Sequence, residues 1–199
     1  MSALQTICLF CGSAVGSSIV YREAVLDLTS VLLKRGITLV YGGANIGLMK
    51  VAADVMLGAG GTVIGVMPKS LADREVAHER LTEMHIVPGM QERKALMAKL
   101  SDGFITMPGG YGTFDEIFEM LSFNQLKLVQ KPVGILNVSG YFDSLLEQLD
   151  KAVNEGFLRP EHRDLLISDT DPERLIDRME TFVPVEAEKW IDQLKAGKI

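Results

Sequence analysis

Three apolar runs in this chain each break directly into a glycine cluster, and each cluster opens onto a stretch of helical period. Gly12-Ser13-Ala14-Val15-Gly16 follows the run 6–11, Gly42-Gly43-Ala44-Asn45-Ile46-Gly47 follows 37–41, and Pro108-Gly109-Gly110-Tyr111-Gly112-Thr113 follows 103–107. Strand, tight turn and helix in repeated succession predict parallel strands joined by right-handed crossovers. Further strands are expected at 62–67, 84–87, 132–138 and 165–168. Tyr21, Ala24, Val25, Leu28, Val31 and Leu32 form a helical stripe, as do Phe142, Leu145, Leu146, Leu149, Ala152 and Val153; both need a sheet to cover. Gly36, Gly60-Gly61 and Gly156 fall just past helical stretches, where a left-handed C-cap favours glycine. The fold class predicted is α/β, a sandwich of helices on a parallel sheet.

In such a sheet all three glycine loops lie along one edge, where helix N-termini offer unpaired N–H groups and the positive end of the helix dipole to an anion. Phosphate binding is the chemistry these loops suit. The usual nucleotide fingerprints nevertheless fail. No G-x-G-x-x-G follows the first strand, and the second ends Val40-Tyr41-Gly42 without the acid that holds an adenosine ribose, so NAD is not expected. Gly42 to Gly47 continues into Leu48-Met49 where a P-loop requires Lys-Ser or Lys-Thr.

At 199 residues and 47% hydrophobic, the chain suits one domain with a sizeable core. A net charge of −6 is opposite to the footprint of a general nucleic-acid binder, so the anion must be small and locally caged. The segment Met1-Ser2-Ala3-Leu4-Gln5 has no basic n-region, and no apolar run approaches the roughly 20 residues that span a bilayer. A cytoplasmic protein without a membrane partner is expected. Cys8 and Cys11 are spaced C-x-x-C, but within a strand that odd separation sends them to opposite faces, and His78, His85 and His162 complete no ligand cluster. They are read as structural cysteines, with no metal site. The stretch from Lys69 to Arg80 is either a flap over a site or an ordinary solvated helix. Ala187, Trp190, Ile191 and Leu194 mark a C-terminal amphipathic helix, about 185–196.

Charged residues near the loops sharpen the picture. The helix predicted over 90–100 begins Met90-Gln91-Glu92-Arg93-Lys94, and two cations in a first turn oppose the dipole unless an anion sits nearby. Arg93 shares helical spacing with Met90, Met97 and Leu100, so its guanidinium falls on the apolar side; a buried carboxylate or phosphate partner is expected in preference to a snorkelling pair with a surface carboxylate. Thr113-Phe114-Asp115-Glu116 matches a capping box, which would account for Thr113 and Glu116 structurally; a carboxylate there is equally placed to manage water or a developing oxocarbenium ion. Gly110 and Gly112 are expected to leave room for the anion or to hold a positive φ.

Pro108-Gly109-Gly110-Tyr111-Gly112-Thr113-Phe114-Asp115-Glu116 resembles the PGGxGTxxE motif of the LONELY GUY family of cytokinin riboside 5′-monophosphate phosphoribohydrolases. Phe10-Cys11-Gly12-Ser13, Gly42-Gly43 with Gly47-Leu48-Met49, Met67-Pro68-Lys69, Arg74-Glu75, Glu92-Arg93-Lys94 and Asn137-Val138 with Gly140-Tyr141 extend the likeness, in order, over residues 6 to about 168. The resemblance implies a single Rossmann-like domain, an open parallel sheet with helices on both faces, over 1–199. It implies a homodimer that uses no metal or organic cofactor and cleaves the N-glycosidic bond of a nucleoside 5′-monophosphate. By motif, Arg93 and Glu116 are then catalytic, and Glu75, Lys94, Gly110, Tyr111, Gly112, Thr113 and Ser122 contact substrate, with Ser13, Gly43 and Gly109 of the glycine loops beside them. Family members were once labelled lysine decarboxylases, but no pyridoxal-phosphate lysine context is recognisable here. One departure stands out: where the family often reads G-x-H-x-K-P, this chain has Lys127-Leu128-Val129-Gln130-Lys131-Pro132.

Overall fold

A computed structural model describes residues 4–74 and 77–184. All seven expected strands form: β1 (Thr6–Phe10), β2 (Thr38–Tyr41), β3 (Val63–Pro68), β4 (Glu83–Val87), β5 (Gly103–Thr106), β6 (Val133–Leu136) and β7 (Leu166–Asp169). They make one parallel sheet in the order β4-β3-β2-β1-β5-β6-β7. β1 is the central strand, with Cys8 opposite both Val40 and Phe104.

The helices are α1 (Ile19–Lys34), α2 (Gly47–Gly58), α3 (Lys69–Ala72), α4 (Met90–Leu100), α5 (Tyr111–Gln125), α6 (Asp143–Asn154), α7 (Pro160–Arg163) and α8 (Pro172–Glu180). Alternation along β1 divides the core between the two faces. Ile7, Leu9 and Cys11 join Leu28 and Leu32 of α1, Met56 of α2 and Leu175 of α8. Cys8 and Phe10 point the other way, into a core with Met97 of α4, Ile117 of α5 and Leu149 of α6. The opposed cysteines are free and buried, and burial raises both thiols, which suits inert core groups. Fully buried leucines such as Leu28 and Leu32 each contribute about 1.5–3 kcal/mol.

Local chemistry fixes the helix ends. Ser18 is the N-cap of α1, and Asp171 caps α8 by accepting the Arg174 N–H at 2.8 Å, with Pro172 at the first helical position. Gly36, Gly60 and Gly156 take the positive φ expected of C-caps. The Lys69–Arg80 stretch contains the four-residue α3, and Ala77 then bridges antiparallel to Ala44. Glu75 and the expected C-terminal helix at 185–196 lie outside the described residues. No described helix is long and apolar enough to cross a membrane.

The departure after Asn124 has a backbone consequence. α5 ends in a Schellman motif in which Lys127 N–H donates to Asn124 O at 3.0 Å and Leu128 N–H to Phe123 O at 2.8 Å. Lys127 therefore holds φ +59, a left-handed conformation, where the family pattern has glycine. Lys127→Gly should raise stability by about 0.5–1 kcal/mol, the relief of strain exceeding the added flexibility of the unfolded chain. A higher urea midpoint with an unchanged slope is the expected result.

Candidate active site

Strand order reverses on either side of β1 and β5, so the chain leaves these neighbours in opposite directions and opens a crevice beyond their C-terminal ends. The glycine loops meet there. Gly12 N–H donates to Pro108 O and Leu48 N–H of α2 donates to Gly12 O, each at 3.0 Å. Between them lies a cleft of about 280 Å³ lined by Ser13, Tyr21, Leu48, Gly109, Gly110 and Tyr141, among others. Gly110 is the N-cap of α5, whose first turn carries no acid and has N–H groups without intrahelical acceptors. Neither Gly110 nor Gly112 has a positive φ, and a Cβ on either would meet no protein atom within 4 Å. Their missing side chains leave open space; the positive-φ expectation does not hold.

One turn further into α5, Glu116 meets the residue that the sequence placed on the apolar side of α4. Arg93 Nη1 lies 3.0 Å from Glu116 Oε1, and Arg93 Nε donates to the Val66 carbonyl of β3 at 3.0 Å. Both side chains are 10% exposed. Gly42 supplies the third wall, since a Cβ there would stand 2.0 Å from Arg93 Nη2. Burial pushes the Glu116 carboxyl up from its ordinary 4.5 to about 7; the Arg93 guanidinium pulls it down, and Asp115 raises it further. The capping-box reading is overturned: α5 starts at Tyr111, so Thr113 is its third residue and Glu116 faces Arg93 rather than the helix start.

The remaining candidates divide. Ser13, Gly109 and Gly110 line the cleft. Thr113 is buried, and a Cβ on Gly109 would strike its hydroxyl. Tyr111 is 95% exposed at the start of α5. Lys94 Nζ sits between Asp115 Oδ2 at 3.1 Å and Glu119 Oε1 at 3.0 Å. Burial lowers its pKa, but the two carboxylates outweigh that and leave it raised, so Lys94 is a neutralised cation. Gly43 turns its carbonyl to the His78 N–H at 2.9 Å and lies outside the cleft lining. Ser122 is exposed on α5, donates to Phe118 O at 2.7 Å, and is not brought to the cleft.

Two features escaped sequence reasoning. Buried His78 accepts the Arg80 N–H at Nδ1 and faces Asp54 Oδ1 with Nε2 at 3.2 Å, which ties the segment after α3 to α2. A contact spanning 24 residues leaves no local periodicity to detect. Tyr141 donates its hydroxyl to the Gly109 carbonyl at 2.5 Å, and the only sequence signal was the pair Gly140-Tyr141 within the resemblance.

Comparison with known proteins finds relatives in sequence and in fold. A family model described as "possible lysine decarboxylase" matches residues 49–179. The cytokinin riboside 5′-monophosphate phosphoribohydrolase LOG1 of Arabidopsis thaliana is 45% identical over 92% of this chain and 86% of its own. The corresponding LOG enzyme of Oryza sativa subsp. japonica is 45% identical over 97% of this chain and 81% of its own. Among solved structures, the molybdenum cofactor binding protein of Rippkaea orientalis superposes with a TM-score of 0.67 at 21% identity, covering 91% of this chain and 98% of that one. The molybdenum cofactor carrier protein of Chlamydomonas reinhardtii gives 0.64 at 19%, covering 88% and 96%. At such identities these two establish a shared Rossmann-like fold and nothing of chemistry. With relatives at 45% identity over 92% of the chain or more, and a family model matched over residues 49–179, the chain belongs to the LONELY GUY family.

Proposed function

We infer that this protein is a nucleoside 5′-monophosphate phosphoribohydrolase: it hydrolyses the N-glycosidic bond of a purine nucleotide, cytokinin-type or adenine, to free base and ribose 5-phosphate. The observation that carries the reading is the buried Arg93–Glu116 pair beside the anion-accepting start of α5, in a chain about 45% identical to enzymes named for that reaction. In the step itself, the bond between ribose C1′ and the base nitrogen breaks with its electrons going to the base. Water oxygen bonds to C1′ and gives one proton to Glu116, and a proton reaches the departing base nitrogen from solvent or from that carboxyl, so that in sum one water is divided between sugar and base.

Each residue's part follows from its surroundings. Gly110, Gly112 and Thr113 hold the 5′-phosphate through N–H groups and the helix dipole, with Ser13, Gly109 and Tyr111 around it, while Gly43 serves the loop behind. Glu116, poised near neutrality, stabilises positive charge developing at C1′ and takes the proton of the attacking water. Arg93 fixes the orientation of that carboxylate. Lys94 and Glu75 are further substrate contacts, for which Lys94 must exchange carboxylate partners; Ser122, away from the cleft, is left out of this set. The reaction consumes only water, and we read it as cofactor-free. A non-catalytic carrier is the less favoured reading, because the molybdenum cofactor binding and carrier proteins of this fold stand at 18–21% identity while the hydrolases stand at 43–46%. We take residues 1–199 as one nucleotide-binding domain. A homodimer fits the exposed Phe118, Leu126 and Leu128 on and just after α5, and two free buried cysteines fit the cytoplasm.

Glu116→Gln keeps an acceptor for Arg93 while removing the base, so kcat/KM for AMP should fall by roughly 10²–10⁴ with only a modest loss of stability. Near-normal turnover in the folded variant removes Glu116 from the mechanism. Carboxyl ¹³C NMR should find Glu116 titrating near pH 7. Because that value lies above the unfolded one, the native state holds a proton between 4.5 and about 7 that the unfolded state has lost. The Glu116 contribution to stability therefore declines as pH rises through that window. A midpoint below 5 contradicts the assignment. Adenosine, lacking the phosphate, should fall short of AMP by about a thousandfold or more in kcat/KM, and parity between them reduces the glycine loops to tight turns.

A further inference from the structure

The Gly109–Gly110 peptide joins two residues without side chains. Its plane rotates more freely than most, since no Cβ on either side bars the flipped state. The two orientations are chemically opposite at this place in the fold. One turns a carbonyl oxygen toward the start of α5, where it would repel an anion; the other turns an N–H there.

Something in the structure selects between them. The Tyr141 hydroxyl donates to the Gly109 carbonyl at 2.5 Å. In a trans peptide the C=O and the following N–H point to opposite sides, so an oxygen held by Tyr141 turns the Gly110 N–H away from it. Tyr141 is itself held from behind. Its ring packs edge-on against Tyr21 at 5.9 Å and Phe142 at 4.9 Å. The turn that delivers it is tied by the Asn137 side chain, which accepts the Phe142 N–H at 2.9 Å and donates to Asp143 at 2.7 Å. Tyr141 also lines the cleft shared by Ser13, Gly109 and Gly110.

We propose that Tyr141 is a positioning residue that locks the Gly109–Gly110 peptide with its N–H toward the substrate phosphate. This rests on the reading of Gly110 to Thr113 as the phosphate cradle. Tyr141 touches no reacting atom; it removes the loop's freedom to present a carbonyl to an anion, which costs affinity in proportion to the flipped population.

The test is Tyr141→Phe in the full chain, which keeps both ring contacts and deletes one hydroxyl. KM for AMP and the inhibition constant for ribose 5-phosphate should each rise roughly tenfold, the equivalent of one hydrogen bond. The kcat/KM for adenosine should stay within about twofold, because that substrate makes no use of the cradle. In ¹H–¹⁵N spectra the Gly110 amide should shift on adding ribose 5-phosphate to the parent chain, and at correspondingly higher concentration in the variant. Equal losses on AMP and adenosine would show that the hydroxyl merely supports packing, and unchanged KM and inhibition constants would likewise overturn the proposal. If the parent chain itself fails to bind ribose 5-phosphate, the phosphate reading falls and takes this proposal with it. Tight binding by parent and variant alike rejects the proposal alone.

Discussion

A guanidinium taken out of water is tolerable only when its donors find acceptors, and the Arg93 side chain takes its partners from three separate pieces of chain. β3 supplies the Val66 carbonyl, α5 supplies the Glu116 carboxylate, and the loop after β2 supplies a glycine close enough to serve as a wall. Burying either ion alone costs several kcal/mol, so the positions of these pieces are interdependent. Gly42 has to lack a side chain, Glu116 has to lie one turn inside its helix, and the sheet has to place β3 where its carbonyl meets α4. The same desolvation that makes the pair expensive lifts the carboxyl toward neutrality, where proton transfer is most useful.

Lys94, the next residue, meets the problem differently. Two carboxylates flank its ammonium, so the second of the two cations near the start of α4 is neutralised within the protein. The N-terminal end of α5 is the converse, a concentration of donors with no acid in the first turn. Positive potential is thus cancelled at one helix start and kept at another a few residues from Glu116, which favours one orientation for a ligand that is anionic at one end.

Period made the sheet legible: all seven strands and the glycine turns after three of them stand where alternation and turn chemistry put them. Cys8 and Cys11 separated to opposite faces because a strand admits no other geometry. Arg93 announced a buried partner by its spacing, yet that the partner is Glu116 follows only from how α4 and α5 cross the sheet. Thr113 to Glu116 misled as a capping box because four residues fit that pattern wherever the helix begins, and it begins three residues earlier, with Gly110 rather than Thr113 as its N-cap. Asp54 with His78, and Tyr141 with Gly109, are contacts between distant segments that no local spacing encodes.

Helix α4 leaves the outermost strand β4 and passes over β3, β2 and β1 before the chain enters β5 on the far side. The first half of the chain can therefore give Arg93 the Val66 carbonyl of β3, but its carboxylate arrives only with α5. A chain with only its first four strands in place holds a cation with no carboxylate opposite it, and pairing β5 with β1, Ile7 opposite Gly103, closes the longest loop in the sheet. Four strands can thus stand in register while the buried ion pair is still unmade, and secondary structure alone is no measure of whether that pair has formed.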